Sequence, residues 1–171
     1  GIDSPAWRVW KIGSEDGQVP PLNVVLGGQA LASVFSTPPV MLPPGPQALA
    51  DYQTGLDFDS AAAKVQAVAA PFRHSAWEDI SARSTDLTHF KARHGRLMVP
   101  HGESDPVFSL ADTLDWFDQL NRHEHGRAGE FARVFPVPGM CHCSGGPATT
   151  EFDSLAAMVD FINDNKYEHI L

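Results

Sequence analysis

Eight of the fourteen prolines fall within residues 1–50, seven of them clustered in VPP, TPPV and MLPPGP. A proline ring fixes φ, removes an amide donor and collides with the preceding helical turn, so this density excludes long helices and central strands there. The short apolar runs between the prolines, LNVVLGG and ALASVF, predict a loop-rich segment with one short helix through residues 29–35. LGGQA reads as a plain turn, because a lone Gly-Gly pair lacks the flanking pattern of an anion-binding loop.

From residue 59 the pattern changes. DSAAAKVQAVAAP has an Asp/Ser start, an alanine-rich body and a proline stop, which predicts a helix over 60–69. STDLTHFKARHG predicts a short helix closed by Gly95, and RLMVPHG a buried strand. In SLADTLDWFDQLNRHEHG, Leu110, Leu114, Phe117 and Leu120 recur at helical spacing behind Ser109, with Asp112 three residues on as in a capping box. FARVFPVPGM predicts a second strand, placed by Pro136 at an edge or bulge, and DSLAAMVDFIN a helix with the stripe Leu155, Met158, Val159 and Ile162. Strand–helix–strand–helix spells an α/β layer with a parallel pair. Open parallel sheets usually have about five or more strands. The expected fold is therefore α/β, part of a larger sheet and incomplete on its own.

A net charge of −9 without any Lys/Arg cluster excludes a nucleic-acid surface, since phosphate neutralisation needs concentrated positive charge. No membrane is expected either: no apolar run reaches the roughly 18 residues that span a bilayer. GIDSPAWRVW lacks the basic-then-apolar order of a signal peptide, which leaves secretion of a longer precursor open. The 43% hydrophobic and 19% charged content suits a packed globular protein.

Ligands of parallel α/β sheets bind beyond the carboxyl ends of the strands, which here are HGESDP (101–106) and GMCHCSGG (139–146). The first supplies Asp105 and the second His142. A strand-end Asp followed 37 residues later by a strand-end His is the order of the last two triad members of an α/β-hydrolase. The imidazole takes a proton from a hydroxyl, and the carboxylate holds its tautomer and stabilises the imidazolium. No G-x-S-x-G occurs, and Ser144, beside the His, reads as a turn residue. Both cysteines, Cys141 and Cys143, flank His142, and a bond between them would close a small, strained loop.

LMVPHGESDPVFSLADTLDWFDQLN followed by FARVFPVPGMCHCSGGPATTEFDSLAAMVDFI resembles the C-terminal catalytic segment of the tannase and feruloyl esterase family, which includes bacterial hydrolases of monohydroxyethyl terephthalate. The resemblance continues upstream through DFDSAAAKVQA and HSAWEDISARSTDLTHFKARHGRLMV, and more loosely through the proline-rich start. It implies an α/β-hydrolase, with residues 1–58 the end of a lid domain and 59–171 the C-terminal part of the catalytic domain. It implies Asp105 as the triad Asp and His142 as the triad His, acting on esters of aromatic acids: hydroxycinnamoyl, galloyl or terephthaloyl. The nucleophilic Ser, and a Cys before it that bonds to Cys143, are implied in a segment upstream of Gly1. Such a bond places the protein in the periplasm or outside the cell. Cys141 departs from the family pattern and is expected either as a thiol or as a competitor for oxidation. His101 either faces the substrate, as the resemblance allows, or caps the strand end. Phe35, Val34 and Gln29 are expected to border the acyl pocket. The family's structural calcium loop is implied upstream, DFDS being a helix start, so no cofactor or metal is expected from this chain.

Two other readings stand beside the esterase. One is a catalytically inert fragment or partner subunit lacking the nucleophile. The other is a metal-binding module using Cys141, His142 and Cys143 with His101 or Asp105, which successive residues disfavour because alternate side chains diverge.

Overall fold

Proline starts helices here more often than it stops them. In the computed structural model, which describes residues 2–163, the proline-rich segment holds α1 (Pro5–Lys11), α2 (Leu22–Ser33) and α3 (Pro46–Thr54) instead of loops and one short helix. Pro5 and Pro46 occupy the first helical position, where no amide partner is lost and φ is already suitable; Pro21 caps α2. The expected helix through 29–35 is the end of α2, with Val34 as its C-cap. LGGQA is helical and not a turn. Gly28 is buried against α3, where a Cβ would meet the Gln53 amide at 2.6 Å and the Leu49 Cβ at 3.1 Å, so the glycine lets the two helices close. Gln53 Nε2 seals the crossing by donating to the Val24 carbonyl at 2.8 Å.

α4 (Phe58–Gln66) starts slightly earlier than predicted, on Asp57, whose carboxylate accepts from the Asp59 amide at 3.1 Å. α5 (Ala76–Ile80) carries a full capping box between Ser75 and Glu78. Residues 2–82, α1 to α5, form one compact unit and residues from Arg83 onward the other.

The second unit opens with α6 (Thr88–Ala92), closed by the Gly95 amide donating to the Phe90 carbonyl, although His94, not Gly95, takes the left-handed conformation. β1 (Leu97–Gly102), α7 (Leu110–His123), a 3-10 turn (Ala128–Glu130), β2 (Ala132–Val137) and α8 (Ser154–Asn163) follow. β1 and β2 are parallel, with Leu97 opposite Ala132 and Gly102 opposite Val137, as the strand–helix–strand order predicts. Their core is Leu120, Ala128, Phe131 and Ala132, packed by Leu87, Leu97, Trp116 and Phe117. Full burial of Leu120 or Phe131 contributes about 2–3 kcal/mol each.

Three local expectations are corrected. Ser109 sits at the N-cap of α7, but its side chain makes no capping bond; Asp112 is tied to it through the main chain alone. β1 is mostly half-covered, only Gly102 being buried, because two strands pair among the described residues. α8 buries Ala157 and Phe161, the latter beside the Arg96 and Arg133 guanidinium groups, while the predicted stripe stays largely open, Leu155 73% and Ile162 58% exposed. That helix is apolar nearly all round, and periodicity alone cannot choose the face that meets the strands. The terminal NKYEHIL lies outside the described residues.

Candidate active site

Parallel pairing puts the carboxyl ends of β1 and β2 side by side, and the loops beyond them stay zipped after the strands end. Glu103 N–H donates to the Val137 carbonyl at 3.1 Å and Ser104 N–H to the Met140 carbonyl at 3.0 Å. Gly102 permits this closeness: a Cβ there would fall on the Met140 carbonyl oxygen and within 2.6 Å of the Cys141 carbonyl oxygen. The 139–146 turn is tied to itself by the Cys141 amide donating to the Gly145 carbonyl.

These constraints bring Asp105 and His142 together. His142 Nδ1 donates to Asp105 Oδ2 at 3.0 Å. Asp105 Oδ1 accepts the amides of Val107 at 2.7 Å and Phe108 at 3.1 Å, so Asp105 also caps its own turn. The carboxylate side chain is 6% exposed and the imidazole 21%. Burial, the largest single influence, pushes the Asp105 pKa up. The hydrogen bonds from His142 and the Val107 and Phe108 amides outweigh it together, and the group ends below the ordinary carboxylate value. Asp105 is therefore ionised at neutral pH. The Phe108 ring lies against the imidazole, centroids 5.4 Å apart and planes at 59°. Sequence reasoning passed over Phe108; its signal was an aromatic three residues after a strand-end Asp.

His101 is set against the carboxylate and α7, 11% exposed, with Nδ1 2.9 Å from Thr113 Oγ1 and Nε2 3.3 Å from the Phe108 carbonyl. Cys141 is buried and Cys143 exposed, and no disulfide joins them. Ser144 is exposed in the turn. Among the described residues, no group of three or more His, Cys, Asp and Glu side chains gathers to hold a metal, and no helix is long and apolar enough to cross a membrane.

The helical unit has a cavity of about 290 Å³ of its own, with Phe35 in its wall beside Leu31, Tyr52, Leu56 and Val65. Val34 and Gln29 do not line it; Gln29 Nε2 instead donates to Ser33 Oγ at 3.1 Å along α2.

The carboxylate thus holds the histidine where the carboxyl ends of two parallel strands adjoin. The family profile described as tannase and feruloyl esterase matches residues 11–169. The chain belongs to the tannase and feruloyl esterase family. It is 39% identical over 158 residues to a mono(2-hydroxyethyl) terephthalate hydrolase from Piscinibacter sakaiensis, an alignment covering 91% of this chain and 26% of that protein. It is 26% identical over 105 residues to feruloyl esterase B from Aspergillus niger, covering 52% of this chain and 20% of the esterase. Solved structures share its α/β-hydrolase-type fold. An esterase from Aspergillus oryzae superposes with a TM-score of 0.51 at 21% identity over 70% of this chain and 28% of that one. The tannin acyl hydrolase from Aspergillus niger gives 0.52 at 18% identity over 68% and 23%. The chain spans about a quarter of the length of the terephthalate hydrolase.

Proposed function

We propose that this chain supplies the acid–base half of a serine carboxylesterase acting on esters of aromatic acids, of terephthaloyl, hydroxycinnamoyl or galloyl type. The observation that carries the proposal is the 3.0 Å hydrogen bond from His142 to the ionised Asp105. With Nδ1 committed to the carboxylate, proton transfer falls to Nε2: the imidazole takes the proton of a serine hydroxyl as the hydroxyl oxygen attacks the ester carbonyl. It then returns that proton to the departing alcohol, Asp105 stabilising the imidazolium between the two steps. Water repeats the cycle on the acyl-enzyme and releases the aromatic acid.

The serine itself is proposed to come from an upstream segment, and Ser144 to remain a turn residue. Cys143, exposed beside His142, is proposed to bond to a cysteine next to that serine, which requires an oxidising compartment and places the protein in the periplasm or outside the cell. The helical residues 1–58 are proposed as lid, with Phe35 the residue nearest in character to an acyl-pocket wall. Alone, the chain would then be inert.

The test is hydrolysis of mono(2-hydroxyethyl) terephthalate, methyl ferulate and methyl gallate by the protein with and without its upstream segment, alongside labelling by a serine-directed fluorophosphonate. Turnover of at least one ester only with the upstream segment supports the proposal. Turnover or Ser144 labelling in this chain alone would contradict it.

A further inference from the structure

Asp105 stands between two imidazoles, and the resting assignment of the second one is set by its neighbours. His101 Nε2 lies 3.3 Å from the Phe108 carbonyl, which can only accept, so Nε2 carries the hydrogen. In the neutral ring Nδ1 must then accept, and the Thr113 hydroxyl, 2.9 Å away on the first turns of α7, donates to it. The same Nε2–H lies 3.6 Å from Asp105 Oδ2, the oxygen that holds His142. Its carbonyl partner belongs to Phe108, whose ring flanks His142. One tautomer of His101 therefore supports both things that touch the His142 ring, the carboxylate and the aromatic. In the opposite tautomer an Nε2 lone pair would face two acceptors, and the 105–108 turn would be pushed away from it.

We propose that His101, fixed in its Nε2–H form by Thr113, is a positioning residue for the Asp105–His142 pair. It holds the 105–108 turn where Oδ2 and the Phe108 ring together keep His142 Nδ1 on the carboxylate. The inference rests on reading that pair as the acid–base element and adds to it a support reaching from α7.

The test replaces Thr113 by valine, which keeps the shape and removes the hydroxyl, and by serine, which restores it. Ring-nitrogen NMR of this chain reads the tautomers without any turnover. Thr113→Val is expected to turn the single Nε2–H pattern of His101 into a mixture and to broaden the Nδ1–H resonance of His142, with Thr113→Ser reverting both. In the protein with its upstream segment, Thr113→Val should lower kcat roughly tenfold, the loss of one neutral hydrogen bond, with KM changed less than about twofold. His101→Gln, whose amide can stand in for Nε2–H, should retain more turnover than His101→Leu. An unchanged His142 resonance in Thr113→Val overturns the inference whatever the activity. Unchanged turnover in Asp105→Asn overturns instead the reading beneath it.

Discussion

Gly102→Ala adds one methyl group at the point where β1 passes beneath the histidine loop, and the surroundings leave no room for it. The new Cβ would fall on the Met140 carbonyl oxygen, 2.6 Å from the Cys141 carbonyl oxygen and 2.8 Å from the Met140 carbonyl carbon, all main chain. Ordinary carbon–oxygen contact is about 3.3–3.6 Å, so the strand end and the loop must part by roughly 1 Å. That movement stretches the Ser104–Met140 and Glu103–Val137 bonds, now 3.0 and 3.1 Å, out of hydrogen-bonding range. Two main-chain bonds at about 1 kcal/mol each, added to an overpacking cost of about 1–3 kcal/mol, give a loss of about 3–5 kcal/mol. At roughly 2–4 °C per kcal/mol for a domain of this size, the melting temperature should fall by roughly 6–20 °C. The assay is thermal unfolding by circular dichroism, with Gly129→Ala as the control because nothing lies within 4 Å of its added Cβ. Melting of Gly102→Ala within about 2 °C of the parent would refute the close approach.

The same geometry sets three further expectations. Because the Asp105 pKa is lowered in the folded chain, the stability it contributes is complete above the ordinary value of 3.8 and is lost as pH falls through the folded value; denaturant titrations across that range should show the acid limb flatten in Asp105→Asn. In this chain without its upstream segment, a thiol-specific chromogenic reagent should modify exposed Cys143 quickly and buried Cys141 only on unfolding, two sulfhydryls in all; none in a monomer would mean the cysteines are bonded to each other. Ser144→Ala, in an exposed turn position, should leave ester hydrolysis largely intact in the protein with its upstream segment, and a loss beyond about tenfold would return Ser144 to the mechanism.

The second unit of this chain was legible because its signals are local. A compact apolar run ending in Pro-His-Gly, leucines at helical spacing behind Ser109 and an apolar run ending in Pro-Gly mark β1, α7 and β2, and with them the loops that carry Asp105 and His142. The proline-rich start was misread because proline forbids helix interiors yet favours helix starts, and the residues just after each proline decide between the two: Pro5 and Pro46 precede good helix formers. Gly28 looked like a turn for a similar reason, since its purpose is a contact with Leu49 and Gln53 that sequence spacing does not show. The His101–Thr113 contact joins a strand to a helix twelve residues on, and neither residue carries a mark of it. α8 shows the converse limit: a helix with two apolar faces carries a clear pattern and no instruction about which face turns inward.

The central claim is that Asp105 holds His142 in the tautomer that accepts a serine proton. The most direct measurement is kcat for aromatic-ester hydrolysis by Asp105→Asn in the protein with its upstream segment. The asparagine amide can still accept the Val107 and Phe108 N–H groups through its oxygen, leaving the turn in place, but it offers His142 Nδ1 a donor where an acceptor stood. A fall of about 10⁴ in kcat with the fold retained is the result the account predicts. Turnover within about tenfold of the parent would contradict it, because the carboxylate would then be only the cap of its own turn.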